Sequence, residues 1–234
     1  MKIAVFPKCY IEAIAQDRTM NLHDWIAMAP ELGGEGLELY DGFLLSLELE
    51  YLYQIRDTIS AAGFAMPMLC ASPDFTNPDL AQRQRAVEHH IRLIETTRLL
   101  GGPGAVCRVL SGQRYPTVER AQGIEWVVQC IEALLPAARE NEIVLGLENH
   151  YKDSFWNFPE FAQKMDVFLE IVEAIDEREY FGVQYDPSNA IVAGDDPIEL
   201  LRRVADRVVS VHASDRYLLA GTTLESMRQH DGTL

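Results

Sequence analysis

Three short segments end in residues able to hold a cation or move a proton. They are Gly146-Leu147-Glu148-Asn149-His150, Gln184-Tyr185-Asp186-Pro187-Ser188-Asn189 and Val211-His212-Ala213-Ser214-Asp215-Arg216. In each, an apolar run stops at an ionisable side chain. Glu148, Asp186 and His212 together offer two carboxylates and an imidazole, good ligands for one divalent metal ion. Oxygen donors suit Mg²⁺ or Mn²⁺, and the imidazole brings Co²⁺, Fe²⁺ or Zn²⁺ within range. The bland reading makes each an unrelated polar group at a strand end. Three at one level on consecutive strands weigh against it, because adjacent strands lie about 4.8 Å apart and such side chains can converge.

The flanks extend the pattern. Arg216, four residues past His212, is a candidate substrate-binding residue, able to grip a hydroxyl, carboxylate or phosphate through paired N–H groups. A surface ion pair with Asp215 is its alternative. His150, two residues past Glu148, is either a second substrate contact or a structural loop histidine. Phe6, Tyr40, Tyr115, Tyr151, Trp156, Phe158 and Tyr217 crowd the same loops. They could form an apolar rim around a ligand, or serve as packing. His89 and His90 fall within a helical run and are expected to be solvated or capping.

The elements that must position these residues alternate along the chain. Strand candidates are Lys2–Phe6, Gly36–Tyr40, Phe64–Cys70, Ala105–Leu110, Ile143–Glu148, Phe181–Asp186 and Val208–His212. Between them, apolar residues recur at helical spacing in Leu44–Ala62, Leu80–Leu100, Val118–Arg139, Pro159–Glu177 and Pro197–Asp206. Pro78, Pro159 and Pro197 sit where helices should begin. A βα unit repeating about every 35 residues, with no linker, predicts a single domain over residues 1–234 built on a parallel sheet. The first βα junction lacks G-x-G-x-x-G, which disfavours a dinucleotide-binding open sheet. The fold class is therefore α/β, a (β/α)₈ TIM barrel. Only 22 residues follow His212, so strand eight and its helix are expected to be missing from this chain.

Composition narrows the function. The 234 residues are 48% hydrophobic and 24% charged, an ordinary soluble-protein balance. Twenty Lys and Arg against 36 Asp and Glu give a net charge of −16, which opposes binding to a polyanion, so no nucleic-acid partner is expected. Apolar stretches are strand-sized, far below the roughly 18 residues of a membrane span. Met1-Lys2-Ile3-Ala4-Val5-Phe6-Pro7 is too short for a secretory core and reads as a first strand; a cytoplasmic protein is expected. Cys9, Cys70, Cys107 and Cys130 show no C-x-x-C spacing, and Cys70 and Cys107 read as small buried hydrophobes.

The combination of Gly-Leu-Glu148-Asn-His, Asp186-Pro-Ser-Asn and Val-His212-Ala-Ser-Asp-Arg resembles the xylose isomerase-like TIM barrels. That superfamily includes sugar isomerases, sugar epimerases and abasic-site nucleases of the endonuclease IV type. The resemblance implies one divalent metal held by Glu148, Asp186 and His212, with a fourth carboxylate from strand eight. It implies that Glu148 is also an acid/base catalyst moving a proton beside a carbonyl of a small sugar, through an enediolate. It also implies a homo-oligomer. The nuclease branch needs further histidines where this chain has Cys70, Arg108 and Asn189. A polyol-ketone dehydratase and a noncatalytic binding barrel are the alternatives. An Asn at position 189, where related epimerases can carry His, counts against that epimerase subtype.

Overall fold

The computed structural model describes residues 2–153 and 155–229. Seven strands appear in it: β1 (Ala4–Val5), β2 (Gly36–Tyr40), β3 (Ala65–Cys70), β4 (Val106–Val109), β5 (Val144–Glu148), β6 (Phe181–Tyr185) and β7 (Val208–Val211). Neighbours pair in parallel and in sequence order. All seven carboxyl ends therefore lie on one rim. Glu38 on β2 and His212 beyond β7 stand five strands apart, about 24 Å in a flat sheet, yet touch at 2.8 Å. The sheet is thus curled into most of a barrel, a TIM barrel short of one βα unit among the described residues.

The helices are α1 (Ile11–Ala15), α2 (Leu22–Met28), α3 (Leu49–Ala61), α4 (Leu80–Gly101), α5 (Arg120–Asn141), α6 (Met165–Ala174), α7 (Pro187–Ala193), α8 (Pro197–Val204) and α9 (Leu224–Arg228). Their apolar stripes bury Ile55, Ile59, Leu93, Ile94, Val127, Ile131, Phe168 and Ile171. Alternation along β2 sends Leu37 and Leu39 into the hydrophobic core while Glu38 and Tyr40 line a cavity at the rim. Gly182 on β6 has a local reason: a Cβ there would meet Val209 Cγ1 at 2.4 Å and the Arg207 carbonyl at 2.6 Å. Only glycine lets β7 pass this closely.

Proline punctuation holds in part. Pro197 opens α8 behind an Asp196 cap, and Pro78 precedes the Asp79 cap of α4. Pro159 does not open a helix. Residues 159–164 form an ordered loop instead, bridged to Gln113, and α6 begins at Met165. The β1 and β7 edges pair on one side only among the described residues, and Ile3, Val209 and Val211 are exposed along them. No helix among the described residues is long and apolar enough to cross a membrane.

Candidate metal centre and cavity

Each candidate ligand is fixed by its local sequence. Glu148 is the last residue of β5, a strand buried along most of its length. Asp186 follows β6 and caps α7: its Oδ1 accepts the Ser188 and Asn189 backbone N–H groups at 2.8 and 3.1 Å, and the Ser188 hydroxyl at 2.9 Å. One carboxylate oxygen is therefore spent on the helix start, and Oδ2 is free to face the site. Asn149 clamps the two strand ends, donating Nδ2–H to the Asp186 carbonyl at 2.7 Å and accepting its N–H at 2.8 Å. His212 continues β7 by one step, its N–H donating to the Tyr185 carbonyl at 3.0 Å.

These placements bring the three together. His212 Nδ1 lies 3.0 Å from Glu148 Oε1 and 3.7 Å from Asp186 Oδ2. A tetrahedral cation with Zn-like bond lengths sets its ligand atoms roughly 3.4 Å apart, so the donor set fits one divalent ion. All three ligand atoms lie within 4.8 Å of one another. Burial pushes the Glu148 carboxyl up, but His212 and then Arg108 hold it well below the usual carboxylate range. Burial likewise opposes charge on His212, yet Glu148 and Glu38 keep its proton far above the usual imidazole range. With His212 protonated, its imidazolium and the Arg108 guanidinium face the carboxylates of Glu38, Glu148 and Asp186.

Glu38 and Arg108 have no role in the strand-end pattern, yet both enter the site. Glu38 Oε1 sits 2.8 Å from His212 Nε2 and accepts the Cys70 thiol at 3.0 Å. A metal-bound histidine characteristically gives its other N–H to such a carboxylate. Glu38, Cys70 and His212 also form a second group of potential ligands, but burial pushes the Cys70 thiol up to about 12. Arg108 donates to Glu148 Oε2 at 2.7 Å, to the Ala71 carbonyl at 3.1 Å and to the Ser72 hydroxyl at 3.1 Å. The signal for both was a charged residue inside a strand otherwise buried throughout.

The cavity over these residues measures about 530 Å³. Arg216 lines it, donating to Asn189 Oδ1 at 2.8 Å and lying over the Tyr151 ring at 4.8 Å; no pair with Asp215 is among its contacts. Asn189 Nδ2 in turn reaches Glu148 Oε1 at 3.3 Å. His150 lines the cavity too and is buried. Of the loop aromatics, Phe6, Tyr40 and Tyr151 line it, whereas Tyr217 is exposed and Tyr115 binds Asp74. His90 corrects the expectation of a solvated residue: it is buried against Cys107 and Phe75.

The family model described as xylose isomerase-like TIM barrel matches residues 26–231. A curated relative, 3-oxo-isoapionate decarboxylase of Pectobacterium atrosepticum, is 29% identical over 137 residues, covering 58% of this chain and 44% of that protein. The chain thus spans less than half the length of that relative. Among solved structures, the IOLI protein with a bound zinc atom superposes with a TM-score of 0.71 at 16% identity, over 91% of this chain and 72% of that one. D-psicose 3-epimerase of Clostridium cellulolyticum, solved with D-tagatose, gives 0.69 at 14% identity, over 89% and 71%. At such identities these two likenesses speak for the fold.

Proposed function

The chain belongs to the xylose isomerase-like TIM barrel family, and on that premise we propose that it is a divalent-metal-dependent isomerase or epimerase of a small sugar or sugar-like ketone. The observation that carries this reading is the convergence of Glu148, Asp186 and His212 at a cavity of sugar size. Those three residues would hold the metal, as the zinc of the IOLI protein encourages. When bound, the cation supplies Lewis-acid polarisation of a substrate carbonyl.

The chain's own side chains supply the rest. Glu148, paired with the Arg108 guanidinium, is the acceptor for the proton on the carbon beside the carbonyl. Arg108 holds Oε2, which leaves Oε1, the oxygen beside His212 and Asn189, for the metal and the proton. Arg216, steadied by Asn189 and Tyr151, offers N–H donors to a substrate oxygen. Phe6 and Tyr40 present apolar ring surface, which suits the C–H face of a sugar and excludes water.

The test is proton exchange. With Mn²⁺ or Zn²⁺ and a panel of ketoses in D₂O, the protein should place deuterium on the carbon beside the carbonyl, read by NMR. Glu148→Gln should abolish it. Full exchange in that variant would remove Glu148 from the chemistry.

A second reading has its own support in the decarboxylase relative. Breaking a C–C or C–O bond beside a ketone develops the same negative charge on the same oxygen, so this site would serve a lyase on a sugar-like oxo acid or polyol ketone. Release of CO₂ or loss of water from the product separates it from isomerisation.

A further inference from the structure

The charges around the cavity are not balanced like those of the chain. Acidic residues outnumber basic ones 36 to 20 in the sequence, yet the cavity is lined by Lys2, Lys8, Arg108, Lys152 and Arg216 against Glu38, Glu148, Asp153 and Asp186. All four acids are engaged. Glu38 and Glu148 face His212, and Glu148 also pairs with Arg108. Asp186 caps α7 and turns Oδ2 toward His212. Asp153 accepts the Ser72 hydroxyl at 2.7 Å and the Phe155 N–H at 2.9 Å.

The basic residues are engaged only in part. Arg108 is held by Glu148 and Ser72, and Lys2 precedes β1, at the opposite end of that strand from the rim. The other three stand on loops that leave the carboxyl rim: Lys8 after β1, Lys152 after β5 and Arg216 after β7. Among the described residues no side chain pairs with Lys8 or Lys152. Arg216 is bound through Nη1 alone, to Asn189 Oδ1 at 2.8 Å, and rests over the Tyr151 ring. Its Nε and Nη2 donors are therefore left for a ligand. Three cations around one mouth repel each other, and a cleft lined by one sign of charge concentrates ligands of the opposite sign.

We propose that the substrate is an anion, a sugar-like ketone whose far end carries a carboxylate or phosphate group held by Arg216, Lys152 and Lys8. Arg216 presents paired N–H donors that match the oxygens of either group, and the two lysines act as point charges on flexible stems. Glu148 and His212 stand at the strand ends and the three cations on the loops beyond them. A ligand with its carbonyl at Glu148 therefore points its charged end outward. The ketone end rests on the function proposed above, whereas the anionic end rests on the rim alone.

Three probes share one ketone end and differ only at the far carbon: D-fructose, its terminal phosphate ester and D-fructuronate, the corresponding carboxylate. Calorimetric titration of the full chain, loaded with Mn²⁺ and again after chelator treatment, measures each affinity. At least one anionic probe should bind about tenfold or more tightly than D-fructose, the worth of one charge-assisted hydrogen bond. Which of the two binds tighter tells phosphate from carboxylate. The preference should persist without the metal and fall severalfold in Lys8→Gln/Lys152→Gln, a change that removes no hydrogen bond or ion pair among the described residues. Equal affinity for the three probes, binding of none, a preference that disappears with the metal, or one unchanged in the folded double variant would overturn the proposal. Anion preference in a protein that neither holds metal nor exchanges deuterium would instead overturn the isomerase reading alone.

Discussion

His212 Nε2 lies 2.8 Å from Glu38 Oε1, joining the last strand of the curled sheet to the second across the barrel mouth. The opposite ring nitrogen, Nδ1, faces Glu148 and Asp186. One imidazole therefore separates two groups of carboxylate with different work: those on Nδ1 would hold a metal, and the one on Nε2 aims the ring.

Replacing Glu38 by Gln should weaken metal binding without abolishing it. Loss of such an outer carboxylate typically costs 10–100-fold in affinity. Zinc titration by calorimetry with a competing chelator measures this directly. Unchanged affinity would mean that Glu38 does not orient His212.

Metal uptake should release a proton. The carboxylates hold the His212 proton well above neutrality, so the ring is charged at pH 7 and must lose its Nδ1 proton to bind a cation. Apparent affinity should rise about tenfold per pH unit across the neutral range. Calorimetry in buffers of differing ionisation enthalpy counts the protons; a count near zero contradicts the charged ring.

Asp186 separates folding from metal binding. Asparagine caps helices about as well as aspartate, so Asp186→Asn should keep the α7 start and shift stability by about 0.5 kcal/mol or less. Metal affinity should nonetheless collapse. Thermal melts beside metal titration test the pair; a large loss of Tm would show that the charge itself holds the fold.

Acid stability should depend on His90. Burial lowers its pKa from 6.5 to about 3, so below 6.5 the unfolded chain binds the proton more readily. Stability is then fully retained above 6.5 and lost as pH falls. From pH 7 to pH 5 the loss from this group is about 2 kcal/mol. In urea melts, His90→Leu should lose less over that interval than the unmodified protein. An identical pH slope in both would show that His90 is not the group responsible.

Much of this was legible in the sequence, for reasons that particular residues show. Glu148, Asp186 and His212 stand out because each interrupts an apolar run at the same point of the βα repeat. Glu38 escaped because its partner lies 174 residues away, a contact that only the curl of the sheet creates. Asp186 read as a strand end, yet it is equally the cap of a seven-residue helix, too short for periodicity to reveal. Pro159 imitated a helix start, but the Gln113 bridge and the buried Glu160 side chain hold that segment as a loop. His90 looked like a surface residue because its burial depends on β4, which supplies Cys107.

The most direct test of the central claim is metal content per chain, by elemental mass spectrometry after chelator-free purification and after soaking in Mn²⁺ and in Zn²⁺. The account predicts close to one divalent ion per chain, lost in the Asp186→Asn/His212→Ala double variant. No bound metal after soaking, or equal metal in the double variant, would contradict it.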